Sequence, residues 1–167
     1  MIINGIDLST VPEVHTGLKF PDTVPGRVVH IDADFLAYHV SYERKGETVE
    51  FPAMQHNAKV QVEKFRKFAG AESVHLHLTP SSSTKGGRPG LAIQKEYQSS
   101  RKEDKPEKLH IVREWMGKHF PATLWQTAEA DDGMAQAAWA AWNAGTPEKC
   151  VILSKDKDLR MVPGCLS

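Results

Sequence analysis

Four short apolar runs alternate with longer stretches of mixed polarity. Arg27-Val28-Val29-His30-Ile31 is rich in β-branched residues and ends on Asp32, the pattern of a buried strand. Phe35, Leu36, Tyr38 and His39 then open a short helix. From His56 to Ala69 the spacing predicts a helix with Val60, Val62, Phe65 and Phe68 as its apolar face and Lys59, Glu63, Lys64 and Lys67 in solvent. Gly70 is its stop. Ser73 to Leu78 alternates, which puts Val74, Leu76 and Leu78 on one face of a second strand. Residues 105–119 read as a helix with Pro106 in its first turn and Leu109, Val112, Trp115 and Met116 at helical spacing. Ala122 to Gln126 is a third strand, Met134 to Ala144 an alanine-rich helix, and Cys150 to Ser154 a fourth strand.

Strands separated by helices predict an α/β fold, a Rossmann-like, mostly parallel sheet flanked by helices. Residues 1–26, punctuated by Pro12, Gly17, Pro21, Pro25 and Gly26, read as a lead-in to one domain over 27–167. That length buries a core without disulfides, and Cys150 reads as a small buried hydrophobe at a strand start. The Trp and Met residues on helix faces read as core. The 79–93 segment, with Ser81-Ser82-Ser83 and Gly86-Gly87, reads as a mobile loop made basic by Lys85 and Arg88. The 21 basic residues balance the 21 acidic ones, which excludes a globally basic nucleic-acid binder and leaves room for a polarised surface. The two cysteines, the missing signal-peptide pattern and the lack of a long apolar run lead us to expect a cytoplasmic protein, with no membrane partner.

Three acidic clusters follow predicted strands: Asp32 and Asp34; Glu129, Asp131 and Asp132; Asp156 and Asp158. The carboxyl edge of an open parallel sheet is where ligands bind. If the three strands are neighbours, seven carboxylates converge there. Close carboxylates repel one another unless cations neutralise them. An oxygen-only set suits Mg²⁺ or Mn²⁺, and a pair of such ions about 4 Å apart drives phosphodiester hydrolysis. The plainer reading of Asp131 and Asp132 is a favourable interaction with the dipole of the helix they open. Between Lys85 and Lys108 stand seven basic and four acidic residues, a segment suited to a phosphate backbone, and Tyr97 could stack on a base. His75 and His77 lie opposite the apolar face of their strand and read as structural.

HIDADFLAY, EYQSSRK, AEADDGMAQAAW and VILSKDKDLRMVPG together resemble the 5′→3′ exonuclease and flap endonuclease family, above all its bacteriophage-type members with a PIN-like core. Order and spacing match from about residue 27 to residue 164. The resemblance implies a deoxyribonuclease acting on 5′ ends or flaps with two Mg²⁺ or Mn²⁺ ions, in a bacterial or phage-infected cell. It makes Asp32, Glu129, Asp131, Asp132, Asp156 and Asp158 metal ligands, with Asp34 assisting from outside. Arg101, helped by Lys95 or Lys102, would hold the scissile phosphate. Lys85, Arg88, Tyr97, Arg101, Lys102 and Lys105 would meet DNA along an arch-like segment, 79–108.

This sequence departs from that family in three ways. The second strand runs into Leu78-Thr79-Pro80, where the family has an acidic ligand. Gln98 follows the motif tyrosine in place of the family's Lys. The chain ends at Ser167, just after the fourth core strand and without the family's helix-hairpin-helix region. We therefore expect a partial protein that exposes apolar surface. Two alternatives stay open: a catalytically weak or dead DNA-binding remnant that needs a separate C-terminal fragment, and a PIN-like ribonuclease. A bland α/β domain with an acidic rim is the plainest reading.

Overall fold

The computed structural model describes residues 20–43, 48–87 and 105–166, and the short segments 2–3 and 6–7. Its centre is an all-parallel sheet. Strand β1 (Val24–Asp32) leads into α1 (Ala33–Ser41), then α2 (Phe51–Phe68), β2 (Ala71–Leu78), α3 (Leu109–His119), β3 (Ala122–Leu124), α4 (Ala130–Asn143), β4 (Cys150–Leu153) and β5 (Cys165–Leu166). The spatial order is β3-β2-β1-β4-β5, every pairing parallel. This is the expected Rossmann-like, PIN-like α/β arrangement. The strand count differs from expectation, because the two-residue β5 pairs with β4 beyond the fourth strand. Ile2–Ile3 and Ile6–Asp7 pair in a small separate ladder.

Alternation along β1 divides the core. Val29 and Ile31 face one way, with Leu76, Leu78 and Val151, and α1, α2 and α3 cover them through Leu36, Met54, Val112 and Met116. Cys150 and Ile152 face the other way, under Met134 and Ala138 of α4. Burial raises the Cys150 thiol to about 11, as expected of a packing cysteine. No described helix is long and apolar enough to cross a membrane.

Several expectations need correction. β1 starts at Val24, inside the predicted lead-in, because the chain passes Pro25-Gly26 with a register shift and continues pairing. Helix α2 starts five residues early, since Pro52 fits a first helical turn. Its buried stripe is Met54, Ala58 and Val62, with Phe51 and Phe65 beside it, while Val60 and Phe68 are exposed. Pro106 precedes α3 in a turn whose carbonyl accepts from Leu109. β3 ends at Leu124 and β4 at Leu153, short of Gln126 and Ser154. Trp115, Met116 and Met134 are core, but Trp139 and Trp142, one turn apart on α4, are 48% and 54% exposed. Gly70 does end its helix, at φ +56 and so close to the Asp22 carbonyl that a Cβ would clash.

Gly133 fixes how α4 approaches the sheet. A Cβ there would lie 2.1–2.4 Å from three ring atoms of Trp125. Trp125 is itself held by its backbone N–H on the Leu78 carbonyl at 2.9 Å. Gly133→Ala should therefore destabilise the fold by about 1–3 kcal/mol, the usual cost of overpacking. Combining it with Trp125→Ala, which removes the ring it meets, should cost less than the sum of the two single changes. Denaturant titration of the four variants checks this, and strict additivity would contradict it.

Candidate active site

The three acidic clusters all lie at the carboxyl edge of the sheet, but they do not follow three adjacent strands. β2, which runs into Thr79, stands between β1 and the edge strand β3. The cluster on α4 reaches the site because that helix returns across the sheet and docks its first turn on β2: the Ala130 N–H donates to Thr79 Oγ1 at 2.9 Å.

Asp32 closes β1 and caps α1, accepting the Phe35 N–H at 3.1 Å. Its other oxygen accepts from the Ser154 hydroxyl at 3.2 Å. Burial pushes the Asp32 carboxyl up, and the charge on Asp34 adds to this. The loop after β4 is threaded by short bonds, Asp156 N–H to Ser154 Oγ at 3.1 Å and Asp158 N–H to Asp156 Oδ1 at 3.0 Å. Both acids are solvent-exposed, while Leu159 is buried behind them. Lys155 Nζ sits 4.4 Å from the Phe35 ring centroid, a second tie to α1.

On α4, Glu129 and Asp132 form a reciprocal capping box, with the Glu129 N–H donating to Asp132 Oδ2 at 3.0 Å. Asp131 Oδ1 accepts the Asp132 N–H at 2.9 Å. Asp34 is tied more firmly. Its Oδ2 accepts the Thr79 N–H at 2.8 Å, and its Oδ1 pairs with the Arg113 guanidinium. The same guanidinium donates to the Thr79 carbonyl.

The donors at this edge are carboxylates and hydroxyls, which suit Mg²⁺ or Mn²⁺. Among the described residues the hydrogen-bond donors to the Asp32 oxygens are neutral, and burial raises its carboxyl, so a cation beside it would relieve part of that cost. Among the described residues no three His, Cys, Asp or Glu side chains form a ready-made metal cage. An ion at this edge would therefore have at most two such side chains as direct ligands among the described residues, with water or a phosphate completing its shell, as Mg²⁺ commonly allows.

Of the residues expected to meet phosphate or DNA, Lys85 and Lys105 are described, while Arg88, Lys95, Tyr97, Arg101 and Lys102 lie outside the described residues. Lys108 is engaged structurally, bonded to Glu43 at 3.0 Å and to the Val49 carbonyl at 2.8 Å. The predicted mobile loop is anchored up to Gly87. Thr84 and Gly86 donate to the Gln126 and Thr127 carbonyls, and Ser83 Oγ donates to Ala128, so the loop is stitched to the chain just before Glu129.

Sequence reading missed Thr79, Arg113, Ser154 and the partner of His77. The Trp125 and His77 rings lie side by side, with planes 8° apart and centroids 6.0 Å apart. Its indole N–H donates to His77 Nδ1 at 3.0 Å. An indole can only donate, so neutral His77 keeps its proton on Nε2 and donates it to His30 Nδ1, 2.9 Å away. His75 pairs with Thr123 Oγ1 at 2.8 Å. Burial, then the neighbouring imidazoles, hold His77 down to about 3, and burial, then His75, holds His30 down to about 4. The reading of His75 and His77 as structural agrees with these contacts, and His30 joins them.

This network sets a pH dependence. Unfolded, these rings gain protons near pH 6.5; folded, His30 resists until about 4 and His77 until about 3. The unfolded state thus binds more protons in that window, and stability falls as pH drops through it. Asp32 acts oppositely just above 3.8, because its raised carboxyl keeps a proton in the fold. Thermal melts from pH 7.5 to 4.5 should show a falling Tm in the wild type and a flatter fall in His77→Gln. Parallel curves would contradict a contribution of His77 to that dependence.

Compared with protein-family models and with curated proteins, the chain matches none, so its functional reading rests on the residues of the site.

Proposed function

We propose that this chain is the catalytic domain of a divalent-metal-dependent 5′→3′ nuclease that hydrolyses DNA phosphodiester bonds at 5′ ends or flaps. The observation that carries this reading is the fastening of three acidic clusters to one edge of a parallel sheet through Thr79 and Ser154. Asp32, Glu129, Asp131, Asp132, Asp156 and Asp158 would hold Mg²⁺ or Mn²⁺ there. When bound, such ions supply a water nucleophile at neutral pH and offset charge on the phosphoryl oxygens. The chain's own part is to aim and to neutralise. Asp32 presents its carboxylate from a rigid strand end and Asp131 from the first turn of α4. Arg101, with Lys95 or Lys102, would balance charge on the scissile phosphate. Lys85, Arg88, Tyr97, Lys102 and Lys105 would track the strand.

A second reading, a weakly catalytic DNA-binding chain that works with a separate C-terminal fragment, draws on two observations. β2 runs into Thr79 where the resembled family has an acid. Trp139 and Trp142 stand exposed on α4.

Asp131 gives the cleanest test, because it lies outside the capping box and Asn retains an acceptor for the Asp132 N–H. Asp131→Asn should lower hydrolysis of a 5′-tailed duplex by about 10²-fold or more, with little change in Tm. Unchanged turnover would remove the acidic edge from the chemistry. A folded wild type that binds the duplex without cutting it would favour the second reading.

A further inference from the structure

We propose that the outer face of α1 is a track for unpaired DNA, stacking bases on Phe35, His39 and Tyr42 and ending in a cleft beside α2 that takes one base. This rests on the nuclease reading above and adds a strand-binding surface outside the 79–108 segment. Helix α1 buries Ala33, Leu36, Ala37, Val40 and Ser41. The solvent side of such a helix is ordinarily charged or polar. Between Ala33 and Ser41, with histidine neutral, the one charged side chain is Asp34, which pairs with Arg113. Phe35, His39 and Tyr42 stand on the outer side instead, at the i, i+4, i+7 spacing of a single helical stripe. Phe35 is half-buried and stacks on the exposed His39, with centroids 6.0 Å and planes 24° apart. Tyr42 is 56% exposed. At the acidic end of the stripe Lys155, an exposed residue, places its ammonium 4.4 Å from the Phe35 ring centroid. At the other end His39, Val40, Tyr42 and Val49, with Asn57 and Gln61 of α2, line an open cleft of about 310 Å³. With histidine neutral, none of these six residues is charged. Asn57 and Gln61, one turn apart, offer amide donors and acceptors, and Tyr42 offers a ring face. A nucleobase is the matching ligand: flat, uncharged and edged by hydrogen-bonding groups. Exposed rings beside a cation are also how proteins hold single strands without reading their sequence. From Asp32 to Tyr42 the helix advances about 15 Å, so the track leads away from the acidic edge.

The test is binding of a short oligothymidylate carrying one 2-aminopurine to the whole chain, read by fluorescence in EDTA so that no metal or cleavage enters. Tyr42→Ala and His39→Ala should each weaken binding by about fivefold or more, the loss expected of one stacked base. Asn57→Ala and Gln61→Ala should weaken it by at least about twofold, and Lys155→Met should also make the affinity less dependent on salt. These side chains are at the surface, so Tm should stay close to wild type. Phe68→Ala, an exposed ring at the far end of α2, should bind as wild type does. Affinity unchanged in Tyr42→Ala and His39→Ala would overturn the proposal, as would a wild type that does not bind the oligonucleotide. An equal loss in Phe68→Ala would overturn it too, because the effect would not belong to the track. Cleavage of a flap with Mn²⁺ is measured separately. Binding that needs Tyr42 in a chain that cuts nothing keeps the track and removes the nuclease reading; cutting by a chain whose binding ignores these rings does the reverse.

Discussion

Thr79 uses all three of its polar atoms across element boundaries. Its N–H goes to Asp34 of α1, its carbonyl accepts from Arg113 of α3, and its hydroxyl accepts from the first residue of α4. β2 lies between β1 and β3, so this residue sits where helices from both sides of the sheet meet. Each bond contributes on the order of 1 kcal/mol, and more where a charge takes part. Their joint effect is geometric. They set where α4 begins, and hence where Glu129, Asp131 and Asp132 stand relative to Asp32. Ser154 does the same on the other flank, tying Asp32 to the loop that carries Asp156 and Asp158.

Beneath that edge a second polar layer holds α4 from the inside. Trp125 bonds to His77, His77 to His30, and Gly133 rests on the indole. Buried polar groups weaken a core unless their partners are complete. Here the indole and both His77 nitrogens are matched by their tautomers. The acid-bearing turn of α4 is thereby gripped from two directions, by Thr79 at its start and by Trp125 one turn on.

The fold was largely legible because it depends on local pattern. The β-branched run before Asp32, the alternation through Leu78 and the alanine-rich stretch after Asp132 each identify one element. Boundaries were harder. Helix α2 starts before the predicted His56 because Pro52 serves as a first-turn residue, and Val60 and Phe68 are hydrophobic residues that solvent happens to receive. The acidic clusters were visible as strand-end carboxylates, and the structure brings them to one edge without gathering three such side chains into a cage among the described residues. Their fastening was not visible. Asp34 and Arg113 are 79 residues apart, and Thr79 and Ala130 are 51 apart, separations at which no periodicity operates. A threonine at a strand end carries no charge or motif to mark it.

Several acids at the edge have local duties as well: Asp32 caps α1, and Glu129 and Asp132 cap α4. Capping explains why an acid is tolerated at each place, at about 0.5–2 kcal/mol apiece. It does not by itself explain why Asp131, Asp156 and Asp158 join them at the same edge of the sheet. The proposed metal-assisted phosphodiester hydrolysis would give the whole set a common role. The most direct test is cleavage of a 5′-labelled flap duplex by the purified chain, with Mn²⁺ and with excess EDTA. The account predicts short 5′ products with Mn²⁺ and none with EDTA. An intact substrate after incubation with folded chain and Mn²⁺, or cleavage that persists in EDTA, would contradict it.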